Sequence, residues 1–339
     1  MKAFFSIFFA TLVAVFNFFT TDGALCQLMN KGDITGYSET VKADKELPIL
    51  STDENGDFTI LQFTDTHFTT GISYNDVSVI KKMESQVKEY NPDLVIVLGD
   101  MIDDGESGAF NKQFVLDKVG TMFDELEQYW AYIPGNNDGM AHGTSADVTA
   151  YLSQFEYCLC ADVRDVSGGA QYSIDIENNG TVVHSLIFLD TMDYDNEDDE
   201  HIYGYVHADQ VKWCENEINA KLGKYSDISM SVFIHENTPA FAEAALYGEA
   251  YQDGYSTLDE VQEKYNIPKN KPLDEVFERA GCVGLVSMGH VHPSENKCSF
   301  YNGTYYHITS QTKTMSSLVT IHTGTDNTKE MYDFVKITE

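Results

Sequence analysis

The stretch FTILQFTDTH, residues 58–67, joins an apolar run to a short polar segment that carries an aspartate and a histidine. The run predicts a β-strand over 58–63, because apolar runs of this length are typical of strands buried in a sheet. Asp65 and His67 follow where this strand ends. Residues two apart in an extended chain project to the same side, so we predict that these two side chains face one site.

Strand-like and helix-like segments alternate on the C-terminal side of this stretch. A helical pattern over 79–87 precedes a second strand over 94–99, and a further helix precedes a third strand that ends at Pro134 and Gly135. Later strands are predicted at 171–176, 182–190, 229–235 and 283–290. The βαβαβ order predicts an α/β fold with a largely parallel sheet, helices that cover it, and a ligand site at the carboxyl ends of its strands.

Polar residues that can bind metals recur at the ends of the predicted strands. With the first pair, they are Asp65, His67, Asp100, Asn136, His235, His290 and His292. Two metal ions roughly 3.5 to 4 Å apart need a bridging carboxylate, other donors, and open positions for a hydroxide and a substrate. Asp100 is the predicted bridge, and Asn136 supplies a neutral amide oxygen. The ordered set predicts a site for two metals, whereas each short motif alone is typical of a turn or a core residue.

These blocks resemble the calcineurin-like metallophosphoesterase superfamily, whose motifs D-x-H, G-D, G-N-H-[DE], a lone H and G-H-x-H follow successive strands in this order. The resemblance extends over about residues 57–300. It is nearest to the secreted purple-acid-phosphatase-like branch, because of the segments NPDLVIVLGD and LIFLD and the spacing of His235, Pro239 and Phe241. It implies a four-layer α/β/β/α sandwich of two mixed sheets.

The resemblance also implies a division of the ligands between the two metals. Metal one is assigned Asp65, His67 and His292, metal two is assigned Asn136, His235 and His290, and Asp100 lies between them. Asp103 stands where purple acid phosphatases have an iron-binding Tyr, so we predict no tyrosinate absorption band. Without that phenolate, the His, Asp and Asn ligands suit Zn²⁺, Mn²⁺ or iron. We therefore expect two metal ions that are both divalent or form a mixed-valence pair.

Asn137 occupies the position of the histidine that donates a proton in the family motif. An amide donates hydrogen bonds but cannot act as a general acid, a role that contributes about 10² to 10⁴ in rate. The resemblance assigns Asp138 to the orientation of this position. Leaving-group protonation is then expected from water, from His142 or from His67, or it is unnecessary for aryl esters and anhydrides. The remaining histidines, His184, His201, His207, His307 and His322, are interpreted as structural or solvated.

Charge and the amino terminus suggest where the protein acts. The 339 residues include 21 basic and 54 acidic side chains, a net charge of −33, which repels nucleic acids and anionic membranes.

The apolar stretch over 3–19 predicts a signal peptide, residues 1–24, with a retained signal anchor as the alternative. We predict a lead-in over 25–49, a metallophosphoesterase catalytic domain over 50–339, and an extracytoplasmic location that is secreted, lysosomal or at the cell surface. The pairing of the six cysteines and the oligomeric state stay open.

The sequence therefore predicts a secreted phosphatase that hydrolyses small phosphate monoesters by attack of a metal-bound hydroxide. Asn137, Asp138 and His67 are its predicted catalytic residues, in addition to the metal ligands. One alternative is a phosphodiesterase of the nucleotide or sphingomyelin type, because the shared motifs do not separate monoesters from diesters. The other is a catalytically degenerate metal-containing binding protein, which the replacement at Asn137 motivates.

Overall fold

The computed structural model describes residues 33–41, 45–103, 112–139, 143–163, 165–191, 206–249, 256–265, 267 and 272–338. Helices in these ranges are α1 (Tyr37–Thr40), α2 (Tyr74–Tyr90), α3 (Lys112–Glu125), α4 (Ser145–Leu152), α5 (Ala208–Lys224), α6 (Pro239–Tyr247), α7 (Leu258–Lys264), α8 (Pro272–Ala280) and α9 (Thr328–Met331). The strands are β1 (Leu50–Ser51), β2 (Asp57–Phe63), β3 (Leu94–Leu98), β4 (Trp130–Ile133), β5 (Gln171–Asn178), β6 (Thr181–Leu189), β7 (Ser229–Phe233), β8 (Val283–Met288), β9 (Lys297–Tyr301), β10 (Thr304–Ile308), β11 (Ser316–His322) and β12 (Tyr332–Ile337).

The strands form two mixed sheets. In the five-stranded sheet, ordered β12-β11-β2-β3-β4, strands β2 to β4 are parallel and β11 and β12 are antiparallel to their neighbours. In the seven-stranded sheet, ordered β1-β5-β6-β7-β8-β10-β9, a parallel centre from β6 to β10 lies between antiparallel pairings at β5 and β9. The predicted α/β class and α/β/β/α architecture are confirmed.

Local sequence explains the central elements. Every residue of β3 is buried, because a parallel strand between its neighbours is covered on both faces. Helix α2 begins after Ser73, whose side chain accepts a hydrogen bond from the backbone of Asp76, and it buries Val79, Met83 and Val87. The helix ends where Asn91 takes a left-handed backbone conformation with φ 43°.

Two predicted strands extend two residues beyond the observed ends. Strand β7 ends at Phe233 and β8 ends at Met288, so His235 and His290 lie beyond the strands that were predicted to contain them. The chain leaves the regular strand pairing at these points, and the loops that follow carry the two histidines. This places the predicted ligands on loops that are directly anchored by buried strands.

Part of the predicted lead-in is attached to the body of the protein. The Asp147 carboxylate in α4 accepts hydrogen bonds from the backbone N–H groups of Gly36 and Ser38 at 3.2 and 2.8 Å, and from the Ser38 hydroxyl at 2.7 Å. Ile34 is buried. The predicted signal peptide, His142, His201 and Cys26 lie outside the described residues, and the predicted domain boundaries stay predictions. None of the helices in the described part is long and apolar enough to cross a bilayer.

Polar side chains are buried where the two sheets face each other. His307 on β10 contacts the hydroxyls of Ser287 on β8 and Ser317 on β11, each at 3.1 Å, so it connects the sheets. His184 contacts Ser231 at 2.9 Å, and that hydroxyl lies 3.2 Å from the hydroxyl of Tyr332 on β12. Burial lowers the pKa of both imidazoles to about 3, so both are neutral near pH 7. Their structural interpretation agrees with these contacts.

The buried neutral histidines predict acid-sensitive stability. The folded-state pKa of His307 is about 3, below its unfolded value of about 6.5. Its contribution to the free energy of unfolding is therefore fully present above pH 6.5 and is lost as pH drops toward 3. His307→Gln keeps hydrogen-bonding capacity without the titration, and should remove about 2 to 3 kcal/mol of the stability loss between pH 7 and pH 4.5. Urea unfolding at the two pH values measures this difference.

His322→Gln is the matched control for this measurement. His322 is partly exposed and paired with Asp57 and Asp333, which raise its pKa. Its contribution is therefore present at low pH and is lost as pH rises, so this variant should retain the acid-side loss of the wild type. Equal pH dependence of the wild type and His307→Gln would contradict the prediction.

Candidate metal centre

The predicted ligands come from both sheets and meet at one edge. Asp65 and His67 follow β2, Asp100 follows β3 and Asn136 follows β4, all in the five-stranded sheet. His235 follows β7, and His290 and His292 follow β8, in the seven-stranded sheet. The carboxyl ends of the parallel strands in both sheets therefore point toward the same region, as ligand sites in α/β proteins usually require.

The first cluster contains Asp65, His67 and His292. The His292 Nε2 atom lies 2.6 Å from Asp65 Oδ1 and 3.2 Å from His67 Nε2, while His67 Nε2 lies 3.7 Å from Asp65 Oδ1. Donor atoms of all three residues are within 4.8 Å of one another. Ligand atoms at 2.0–2.2 Å from a metal are themselves about 3 to 4 Å apart, as the two separations from His67 are. The 2.6 Å between His292 and Asp65 is a hydrogen-bond distance, so these two atoms would have to separate to share a cation.

The second cluster contains Asp100, His235 and His290, again with donor atoms within 4.8 Å of one another. His235 Nε2 is 3.6 Å from Asp100 Oδ1, and the Asn136 amide oxygen is 2.9 Å from His290 Nδ1. The other oxygen of Asp100 lies 3.8 Å from His67 Nε2 in the first cluster. One carboxylate thus directs an oxygen toward each cluster, as a bridging ligand would.

His235 shows most clearly that the site fits a cation. Its Nδ1 atom lies 2.6 Å from the backbone carbonyl oxygen of Leu98, so Nδ1 carries a proton and Nε2 is the ring nitrogen that can face a cation. That Nε2 atom is buried and has no hydrogen-bond partner within the described residues. A buried polar atom without a partner costs about 1–3 kcal/mol, and coordination of a metal ion would remove this penalty.

The electrostatics of the site also favour bound cations. Burial opposes charge on His235, but Asp100, Asp65 and Glu236 raise the pKa of this imidazole to about 10, so Nε2 holds a proton that a bound metal ion would displace. Burial lowers the pKa of His290 to about 4, assisted by repulsion from His235. The buried carboxylates in this cluster are therefore stabilised by positive charge close to them, and divalent cations, which bind Asp and His ligands, can supply that charge.

The backbone at the site is held in an uncommon conformation. Asp65, His67, Asp100, His290 and His292 have left-handed φ values of 51°, 44°, 48°, 68° and 43°. Residues of this kind in left-handed conformations each cost about 1 kcal/mol or more and cluster at functional sites. The extended geometry predicted for residues 65–67 is therefore wrong: the chain curls after β2, and this curl, not strand alternation, brings Asp65 and His67 together.

Two glycines allow the loops to approach one another. A Cβ atom on Gly135 would lie 2.3 Å from Asp100 Oδ1, and one on Gly289 would lie 2.2 Å from the Thr64 hydroxyl oxygen. Both distances are too short for any non-bonded contact. The glycines of the G-N and G-H motifs thus have a steric function beside the ligands that follow them.

Asn137 and Asp138 contact neighbouring loops. Asn137 donates from its backbone N–H to Asp100 Oδ1 at 2.8 Å and from its side-chain amide to Asp100 Oδ2 at 2.6 Å. Asp138 is buried and accepts from the backbone N–H groups of Ile102 and Gly135, each at 2.9 Å. Burial and the charge of Asp100 raise the pKa of Asp138 to about 6. Asn137 therefore holds the predicted bridging carboxylate, and the catalytic roles of both residues stay predictions.

Three further residues near the site were not predicted from the sequence. Glu236 is buried with Oε2 3.8 Å from His290 Nε2, and Gln311 lies with Nε2 3.0 Å from His292 Nδ1. Lys112 is buried in α3 and donates to the Asp138 carbonyl oxygen at 2.7 Å. The position of Glu236 directly after His235 is a usable signal, whereas nothing around Gln311 or Lys112 in the sequence indicates proximity to the site.

Comparison with known proteins identifies the family. The sequence model of the calcineurin-like phosphoesterases matches residues 58–294, more than half of the chain. The protein therefore belongs to the calcineurin-like phosphoesterase family, which typically binds two metal ions, and the structure has two candidate metal clusters. The family indicates a metal-dependent phosphoesterase. No curated protein sequence matches the chain.

Solved structures with a similar fold include members of the same family. A dimetal phosphatase from Danio rerio is 12% identical, with 83% of this chain and 98% of that chain covered and a TM-score of 0.49. The calcineurin-like phosphoesterase YfkN from Bacillus subtilis is 12% identical, with 83% and 90% covered and a TM-score of 0.44. The Plasmodium inner-membrane-complex anchor GAP50 is 11% identical, with 83% and 89% covered and a TM-score of 0.45. At this identity these likenesses carry no information on substrate.

The close approach at Gly135 gives a test of the site geometry. In Gly135→Ala, the new methyl group must displace Asp100, so the variant should lose at least one bound metal equivalent after dialysis against buffered Zn²⁺. Gly223→Ala in α5 is the control, because its Cβ meets nothing within 4 Å. The control should retain its metals and gain about 0.5–1 kcal/mol from helix propensity. Equal metal content in the two variants would show that the contact is unimportant.

Proposed function

We propose that this protein is an exported dinuclear-metal phosphatase that hydrolyses phosphate monoesters. The observation that carries the proposal is the position of Asp100, whose two oxygens face two separate clusters of histidine and aspartate donors. A shared carboxylate between adjacent cation sites is the arrangement that two-metal phosphoester hydrolysis requires. Family membership supports hydrolysis of phosphoesters, and we propose that the substrates are monoesters.

The proposed ligand sets follow the two clusters. Asp65, His67 and His292 would hold one ion, while Asn136, His235 and His290 would hold the other, with Asp100 between them. When bound, two Zn²⁺, Mn²⁺ or iron ions supply a water nucleophile of lowered pKa and neutralise charge on the phosphoryl oxygens. Asp103 in place of a phenolate ligand supports the proposal that the protein lacks a tyrosinate band.

The residues of the chain then orient the reaction. His235 is held by the Leu98 carbonyl group and His292 by Gln311, while Asn137 holds both oxygens of Asp100. Asn137 is half-buried, so its amide can reorient from Asp100 toward a bound phosphate and donate a hydrogen bond there. Its N–H groups are too weakly acidic to protonate the leaving oxygen. We therefore propose a preference for substrates with stable leaving groups, such as aryl phosphates.

The cellular setting is part of the proposal. The apolar segment over 3–19 supports export through a signal peptide, with a membrane anchor as the alternative. The net charge of −33 disfavours nucleic acids as partners. A phosphodiesterase and a metal-containing binding protein without turnover are the competing functions, and both would retain the same ligands.

The first test is metal-dependent hydrolysis of a substrate panel. Protein loaded with Zn²⁺, Mn²⁺ or Fe²⁺ should hydrolyse aryl monoesters faster than diesters, and chelation should abolish the activity. Asp100→Asn should reduce the rate at least about 10²-fold, because the shared charge between two cations is lost. The exposed Asp326→Asn is the charge-matched control and should retain full activity. Diester preference would replace the proposal with the phosphodiesterase, and absence of all turnover in the loaded protein would support the binding protein.

The second test addresses the missing proton donor. Asn137→His should accelerate hydrolysis of alkyl monoesters by about 10² or more, because these leaving groups need protonation, and should change activated aryl esters much less. The dependence of kcat/KM on leaving-group pKa should therefore become shallower. Asn137→Gln keeps an amide and should retain the steep dependence. An identical slope in the wild type and Asn137→His would exclude this account of Asn137.

A further inference from the structure

The two ring nitrogens of His292 face different surroundings. Its Nε2 atom points into the first cluster, 2.6 Å from Asp65 Oδ1 and 3.2 Å from His67 Nε2. The side-chain amide nitrogen of Gln311, in the loop between β10 and β11, lies 3.0 Å from Nδ1 and 3.4 Å from Nε2, so Nδ1 is the nearer of the two ring nitrogens. Nε2, which faces the other two donors, is therefore the candidate metal-binding atom, and Nδ1 is the atom closer to Gln311.

A metal on Nε2 determines which atoms must face Nδ1. An imidazole that gives its Nε2 lone pair to a cation carries its proton on Nδ1, and that N–H group needs an acceptor. A glutamine side chain can supply one, because rotation of the amide by 180° exchanges its NH₂ group and its oxygen without changing its shape. Metal binding to Nε2 would thus favour the Gln311 amide orientation in which its oxygen accepts a hydrogen bond from the Nδ1–H group of His292.

His235 already has this arrangement within the same centre. The Leu98 carbonyl oxygen lies 2.6 Å from its Nδ1 atom, and the Nε2 atom faces Asp100. Here the acceptor is part of the backbone at the end of β3, so no side-chain substitution removes it. Gln311 would play for His292 the part that this carbonyl group plays for His235, but through a side chain.

The loop that carries Gln311 is held close to the first cluster. The Gln311 carbonyl oxygen accepts from the backbone N–H groups of Thr314 and Met315 at 2.9 and 3.0 Å. The backbone N–H and the hydroxyl of Thr312 donate to the carbonyl oxygen of Thr64 at 3.0 and 2.8 Å. Thr64 directly precedes Asp65, so the loop is connected to the segment that supplies two of the proposed ligands. These backbone contacts do not depend on the Gln311 side chain.

We propose that Gln311 is a positioning residue for the metal site formed by Asp65, His67 and His292. It orients the His292 ring and accepts a hydrogen bond from the Nδ1–H group of the metal-binding tautomer, so it raises the affinity of this site and not that of the second one. The inference rests on the proposed dinuclear centre. It assigns to Gln311 no contact with substrate and no part in proton transfer.

The experiment measures Zn²⁺ affinity by chelator competition in the full-length protein, with separate constants for the two sites. Gln311→Leu removes the acceptor at similar volume and should weaken one site by about 10–100-fold, while the other changes by less than about threefold. Gln311→Glu supplies a stronger acceptor and should bind as tightly as the wild type or more tightly. Lys313→Ala, an exposed change in the same loop, is the control and should match the wild type.

Each outcome has a definite consequence. Unchanged Zn²⁺ affinity in Gln311→Leu, equal weakening of both sites, or equal weakening by Leu and Glu would overturn the positioning role. Unfolding of the metal-free variants should coincide with the wild type, because the backbone contacts of the loop are retained; a large loss there would also overturn it. A wild type that binds two Zn²⁺ without turnover would refute the phosphatase while the role of Gln311 stands. Turnover with unchanged affinity in Gln311→Leu would do the reverse.

Discussion

The buried carboxylate of Asp100 imposes the main constraint on this structure. It is 2% exposed, and its two oxygens are directed toward separate groups of imidazoles and toward the amide groups of Asn137. An anion removed from water in this way is stable only beside positive charge or several hydrogen-bond donors. The pKa of Asp100 lies well below its usual range, because His235, His67 and the Asn137 backbone outweigh the effect of burial. The loops that carry these groups must therefore be brought to one place.

The two sheets meet this requirement by contributing loops from a common edge. Each loop leaves a buried parallel strand within three residues of its first ligand, so the positions of the ligands are determined by a rigid framework. Left-handed backbone conformations and closely packed glycines are the local cost of this convergence. The buried polar contacts between the sheets, through His307 and Ser231, give the framework a definite relative position.

The sequence predicted much of this arrangement because the relevant signals are local. The apolar strands, the alternation with helices and the ordered polar residues at the strand ends are all visible in short segments, and the resemblance of Asp65-Thr-His67 and Gly289-His290-Val-His292 to family motifs specified the two-sheet architecture. The prediction of extended chain at residues 65–67 was wrong, since strand periodicity cannot reveal where hydrogen bonding stops. The strand ends near His235 and His290 were displaced for the same reason.

What the sequence by itself determined is the class of fold and the set of candidate metal ligands, since both follow from the order of strands and of polar residues along the chain. Only the tertiary structure decided which donors face each other, that Asp100 lies between two clusters, and that Asn137 contacts its carboxylate. The neighbours Glu236 and Gln311 appear beside the histidines for the same reason. Gln311 precedes Ser316 of β11 by only five residues but meets His292 through a return of the chain from β10. Contacts of this kind depend on how loops from different strands pack, and no local pattern encodes them.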